Sequence, residues 1–215
     1  MTSIRLQAID DTNRRDHHYL REEDECYFLY EYTAGKGWQG GETNQLIHNL
    51  KKKRADRGHH HKAPAIARCA GALSSTINGE WLGRAALIPI PPSKIRTDIN
   101  YDDRISQICR GIKNPGQPDV RELIEQIKST DAFHEGHRLR PEELRANYTF
   151  AEQHLENFPV TVGVVDDLLT TGSHFRAVKD MIKERAPDCR VVGFFVARRA
   201  IPNPFDEISI EDLLK

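Results

Sequence analysis

The chain is short of the features that mark specialised protein classes. It has only four cysteines, Cys26, Cys69, Cys109 and Cys189, and no two of them form a CxxC pair. That excludes a zinc ribbon and a secreted disulfide scaffold, and leaves reduced, buried thiols as the expectation. Nothing in the sequence supports a catalytic thiol. Neither sign of charge dominates: 31 Lys and Arg stand against 32 Asp and Glu, for a net charge of −1. No global field draws the chain to nucleic acid or a membrane, so any polyanion contact needs a local patch. No apolar run approaches the length of a membrane span. The first 25 residues are polar and contain no secretory apolar segment. There is no internal repeat and no low-complexity tract. A cytoplasmic location without a membrane partner is therefore expected.

What is present fits one enzyme-sized unit. A chain of 215 residues can bury a substantial core. Residues 1–25 read as a charged, partly mobile extension, and 26–215 as the folded domain. CYFLYEYTA (26–34) reads as a strand, TNQLIHNLKKKR (43–54) as a helix ending in basic residues, and PAIARCAGALSSTI (64–77) as a second amphipathic helix. RAALIPI (84–90) is a buried strand. Residues 101–112 and VRELIEQI (120–127, with Asp119 as cap) read as helices, and a short helix enters at Pro141. PVTVGVV (159–165) and RVVGFFVARR (190–199) are strands around a helix at 173–186. Strands alternating with helices predict an α/β fold, a mostly parallel twisted sheet flanked by helices.

The most informative stretch is VTVGVVDDLLTTGSHF (160–175). A buried strand, Val162–Val165, runs into Asp166 and Asp167. Leu168 and Leu169 come next, then the turn Thr170, Thr171, Gly172, Ser173, then a helix with Phe175, Val178, Met181 and Ile182 on one face. A parallel strand delivers the residues after it to the carboxyl edge of the sheet, where open α/β folds bind ligands. Paired carboxylates there can accept charge-assisted hydrogen bonds from vicinal sugar hydroxyls. Hydroxyls and unpaired backbone N–H groups at a helix start form an anion site, and Gly172 permits close backbone approach. The implied ligand carries a ribose diol beside a phosphate. The two competing readings are an ordinary buried strand with a polar turn, and a receiver-type phospho-acceptor domain, whose acidic pair lies near its start rather than its end.

This stretch resembles the phosphoribosyl pyrophosphate (PRPP) motif of type I phosphoribosyltransferases. LYEYTAG (29–35), LIHNLKK (46–52), IPIPPSKIRTDIN (88–100) and LRPEELRANYTF (139–150) extend the resemblance, in order, to the ComF-like, competence-associated branch of that family. The resemblance implies a small variable hood and a lid, the latter placed at 113–148. It implies that Asp166 and Asp167 are the catalytic pair, holding the ribose and a hydrated Mg²⁺. Thr170, Thr171, Gly172, Ser173 and His174 would clamp the 5′-phosphate, and Pro92, Ser93 and Lys94 would bind the departing pyrophosphate. The implied activity is a glycosyltransferase reaction of nucleotide metabolism, moving ribose-5-phosphate from PRPP to a nitrogenous acceptor. The chain departs from the family at several points. It has no zinc ribbon, TDIN (97–100) stands for RGFN, a Gln before LRPEE is missing, and His174 replaces a threonine.

Two function classes are implied: a transferase, or a non-catalytic PRPP- or nucleotide-binding regulator acting through a protein or nucleic-acid partner. Acceptor choice would lie in the N-terminal third and near Arg198 and Arg199. Small α/β enzymes are commonly dimers, so a homodimer or an assembly partner is compatible. Three further features have no assigned role. His59, His60 and His61 do not share one face, so a solvated loop is preferred to a metal site. Lys51–Arg54 is a basic run able to touch a nucleic-acid backbone. Trp38 sits in a glycine-rich turn, placed either to stack on a base or to pack.

Overall fold

The apolar runs of the sequence become adjacent strands of one sheet, and the stretches between them cover it. The computed structural model describes residues 4–113, 116–130 and 139–202. In chain order the strands are β1 (Gln7–Ala8), β2 (Glu25–Thr33), β3 (Ala86–Pro89), β4 (Asp119–Val120), β5 (Ile124–Gln126), β6 (Tyr148–Phe150), β7 (Thr161–Leu169) and β8 (Arg190–Ala200). The helices are α1 (Glu42–Leu50), α2 (Lys62–Thr76), α3 (Gly79–Leu82), α4 (Arg104–Gly111), α5 (Pro141–Ala146) and α6 (Ser173–Arg185). Six strands pair in the order β1-β2-β8-β7-β3-β4, all parallel except the edge strand β1. A separate antiparallel pair joins β5 to β6. The α/β class and the mostly parallel, helix-flanked sheet are as expected.

Strand alternation divides the core into two faces. Ile88, Val162, Val164 and Phe195 face α6, α5 and the β5–β6 pair. Leu87, Val165, Val192 and Val196 face α1, α2 and α4. After β3 the chain passes through α4 on one face to β4. After β7 it passes through α6 on the other face to β8. The two exits run in opposite directions, so a crevice opens at the carboxyl ends of β3 and β7, the switch point where such sheets bind ligands.

Four expectations are corrected. Residues 120–127 are not a helix. Val120 pairs with Leu87 at the sheet edge, and β5 pairs with β6. The helical spacing of VRELIEQI is overridden because these backbone groups find partners in existing strands. The helix expected to reach Arg54 stops at Leu50, so the basic run lies in the following turn. The segment 1–25 is not a loose extension: Ile9, His17, Leu20 and Asp24 are buried. Part of the expected lid is core rather than cover, with Leu123, Ile124, Leu144 and Tyr148 buried. Within that segment, 114–115 and 131–138 lie outside the described residues.

Among the described residues, no helix is long and apolar enough to cross a membrane. All four cysteines are free and buried, and burial raises each thiol's pKa, so they are inert as nucleophiles.

Candidate functional site

Strand β7 does not end before the acidic pair, as the apolar run suggests. It continues to Leu169, in register with β8 from Thr161↔Arg190 to Leu169↔Arg198. Asp166 and Asp167 are therefore consecutive strand residues and point to opposite faces. Asp167 turns toward α1 and α4. Arg104 Nε donates to its Oδ2 at 2.8 Å, and Lys51 Nζ lies 3.4 Å from its Oδ1. Asp166 turns toward the other face, lining a small cavity with Leu169, Thr170, His174 and Phe195. Its Oδ1 accepts from the Asp167 N–H at 2.8 Å, and its Oδ2 has no hydrogen-bond partner among the described residues. The pair straddles the sheet edge instead of forming a two-armed clamp on one side.

Their environments push the two acids apart. Burial raises the pKa of Asp166, and the neighbouring charge of Asp167 adds to that, leaving it well above the usual carboxylate range. Burial acts on Asp167 in the same sense, but Arg104 and then Lys51 outweigh it and hold Asp167 below that range. Adjacent carboxyls with divergent proton affinity are a feature of sites that do chemistry.

The turn after β7 is built on Gly172, whose φ of 85° lies in the left-handed region. That conformation favours glycine, and a Cβ there would also crowd the Leu20 side chain at 3.0 Å. Helix α6 starts at Ser173 with no side-chain cap on its free N–H groups. Thr171 and Ser173 are buried, and Thr171 Oγ1 donates to Ser173 Oγ at 3.3 Å. The carbonyls of the turn are held from behind by the N-terminal segment: Tyr19 N–H donates to Thr171 O at 3.0 Å, and His17 Nδ1 donates to Thr170 O. Burial lowers the pKa of His17, so it is neutral near pH 7, with the proton on the nitrogen that faces a carbonyl. These bonds occupy the carbonyls of Thr170 and Thr171.

His174, in the first turn of α6, lines the same cavity as Asp166. Burial drives its pKa down to about 4, despite the raising effect of Asp167. Its Nδ1 lies 2.8 Å from the hydroxyl of Tyr148, which is itself held protonated by burial. With the tyrosine assigned as donor, its buried O–H is satisfied and the histidine's own proton sits on Nε2. The free space bounded by Asp166, the turn and His174 is about 10 Å³, room for one water.

The loop after β3 leaves the same sheet edge, since Pro89 pairs with Val165 and Ile90 N–H donates to Val165 O at 2.9 Å. Pro92 and Lys94 line a cavity of about 280 Å³ with Ile95, Arg96, Tyr101 and Gln126. Ser93 is exposed, and its carbonyl accepts from Thr130 N–H at 2.8 Å. This loop therefore leans toward β5 and is tied there. The structure brings Asp166, Thr170, Gly172, Ser173 and His174 together, and it sets Pro92, Ser93 and Lys94 along the same edge.

Sequence reasoning missed the groups that neutralise Asp167. Arg104 also donates to Asp102 at 2.7 Å, and Lys62 reaches the same Asp102 oxygen at 2.7 Å. The result is a continuous chain, Asp167–Arg104–Asp102–Lys62. One signal was legible: an arginine as the first residue of a helix opposes the macrodipole, so it needs a reason to be there. No group of three or more His, Cys, Asp or Glu among the described residues could hold a metal unaided.

Fold and site together define the class: a parallel-sheet α/β protein with an acidic, glycine-turn site at its switch point. No protein-family model matches the chain, and no curated protein matches it.

Proposed function

We propose that the chain is a phosphoribosyltransferase-like protein that binds Mg-PRPP at the switch point and transfers ribose-5-phosphate to a nitrogenous acceptor. One observation carries this reading: a carboxylate pair, a left-handed glycine turn and an uncapped helix start all converge where β3 and β7 end. The backbone N–H groups of Gly172, Ser173 and His174, with the Nε2–H of His174, are donors suited to a terminal phosphate. A neutral histidine donates there without competing as a counter-ion for Asp167. Asp166 offers an unclaimed oxygen, suited to a ribose hydroxyl. The loop at Pro92–Lys94 supplies the neighbouring contact for pyrophosphate.

A magnesium ion fits this donor set through Asp166, because hard oxygen ligands suit it and both oxygens of Asp167 already face cations. When bound, it would neutralise pyrophosphate charge. The chain's own residues position the ribose and exclude water. During transfer the bond from C1 to the pyrophosphate oxygen breaks, and the acceptor nitrogen bonds to C1. Positive charge develops on the ribose between these events, and Asp166, ionised when it holds the cation, stabilises it from the sheet edge.

The narrowness of the cavity bears on how the ligand enters. Some 10 Å³ does not hold a phosphoryl group. The phosphate seats at the mouth of the turn, or the turn opens as Leu20 yields. The same narrowness favours a second reading, a PRPP- or nucleotide-binding regulator without turnover.

Calorimetry with Mg-PRPP tests the first claim. Saturable binding is expected, weakened at least about tenfold in Asp166→Asn, a conservative change that keeps the acceptor for the Asp167 N–H. No binding by the native chain sinks both readings. Pyrophosphate release against a panel of nitrogenous bases then separates them: release with one base identifies the transferase, and binding without release identifies the regulator.

A further inference from the structure

Two sequence features left without a role, the basic run after α1 and the histidine run before α2, meet in one place. The turn 51–58 and residues 59–62 form one wall of a cavity of about 680 Å³, and residues 99–103 with α4 form the other. This is the size range of small-molecule sites, and far more than a lone phosphate needs. One wall is cationic. Lys52, Lys53, Arg54 and Lys62 line it with His59 and His60. Lys62 is engaged by Asp102, and Lys52 Nζ donates to Arg57 O at 3.1 Å. Neither the ammonium of Lys53 nor the guanidinium of Arg54 has a described partner, and both residues are exposed. The facing wall is of another character. Asn100, Asp103 and Gln107 offer hydrogen-bonding edges, with Gln107 Nε2 donating to Asp103 Oδ1 at 2.6 Å. Ile66 and Tyr101 supply half-buried apolar surface between the walls.

We infer that this groove is a binding site for a nucleoside diphosphate. Unpaired cations on one wall call for a polyanionic group. The apolar strip suits a base, and the carboxylate and amides opposite suit donor edges of a sugar or base. A nucleic-acid strand is the poorer fit. Asp103 lines the groove opposite the cations and opposes a run of phosphates along it, and the net charge of −1 gives no wider basic track. The site is separate from the switch-point acids, although the Lys62–Asp102–Arg104–Asp167 chain joins them. It does not depend on PRPP being the ligand there.

Titration with ADP at low salt, without PRPP, tests the inference. One saturable site is expected, with adenosine at least about tenfold weaker. The double variant Lys53→Glu, Arg54→Glu, whose side chains are exposed, should weaken ADP at least about tenfold with an unchanged thermal midpoint. Four results would overturn the inference. The native chain could show no saturable ADP binding. The variant could bind ADP as the native chain does. Asp166→Asn could abolish ADP binding, placing the nucleotide at the switch point. A single-stranded oligothymidylate could bind more tightly than ADP and lose that binding in the double variant, making the groove a nucleic-acid surface. Failure of the PRPP titration alone leaves the ADP result standing, so the two readings fail separately.

Discussion

Two buried carboxylates in this protein are each bracketed by an arginine and a lysine, yet they are held differently. Asp24 accepts from Arg176 and from Lys179, the latter at 2.5 Å, and its side chain is 0 % exposed against 6 % and 12 % for the cations. It pins the N-terminal segment to α6. Asp167 is met by Arg104 and Lys51, whose side chains are 19 % and 42 % exposed. The first cluster is sealed on every side. The second has one cation mostly inside the protein and one partly in water. Equal chemistry thus gives a structural lock in one place and an exchangeable latch in the other. The difference lies in the solvent access of the partner, because screening weakens an exposed charge and burial strengthens it.

The largest expected effect breaks the lock. Asp24→Asn leaves Lys179 without its counter-charge and Arg176 with only Asp180, at 3.4 Å, and should lower stability by about 3–5 kcal/mol, read by urea denaturation. A loss below about 1 kcal/mol would show that solvent already reaches the cluster. Next, the two lysines can be set against each other. Lys179→Met should cost about 2 kcal/mol and Lys51→Met less than about 1 kcal/mol. Equal losses would erase the distinction between lock and latch.

The smallest effect is a pH dependence. The folded-state pKa of Asp166 lies above its unfolded value, so the native state retains a proton that the unfolded chain releases from about pH 4 upward. That contribution falls as pH rises. Asp166→Asn removes it, so the variant should gain about 1 kcal/mol over the native chain at pH 8 and little at pH 4. His174 acts in the opposite sense: its lowered pKa makes the native state less stable as pH falls from about 6.5 toward 4. Thermal melts of both forms across pH 4–8 check the sign. A gap that widens toward low pH would mean that Asp166 is ionised throughout.

The parts of the molecule legible in the sequence are those whose signal is local. Strands β3, β7 and β8 were legible because their residues are apolar on both faces, as central parallel strands must be. The turn at Gly172 was legible because hydroxyls, a glycine and a helical period succeed one another there. The N-terminal segment was not. His17 and Asp24 look like surface residues, and they are buried through a carbonyl and an ion-pair cluster far away in the chain. Residues 120–127 were misread because periodicity describes only local preference. Their partners are Leu87 and residues 148–150.

The amino-acid order alone determined that a strand, two acids, a glycine turn and a helix succeed each other, and hence that donors and carboxylates share one sheet edge. Only the folded molecule decided that the acids face opposite ways, that Arg104 and Lys51 claim one of them, and that open space lies in the basic groove while the turn is nearly closed. Sequence spacing sets backbone geometry over a few residues. Charge neutralisation and free volume depend on side chains brought from distant positions, which no local pattern encodes.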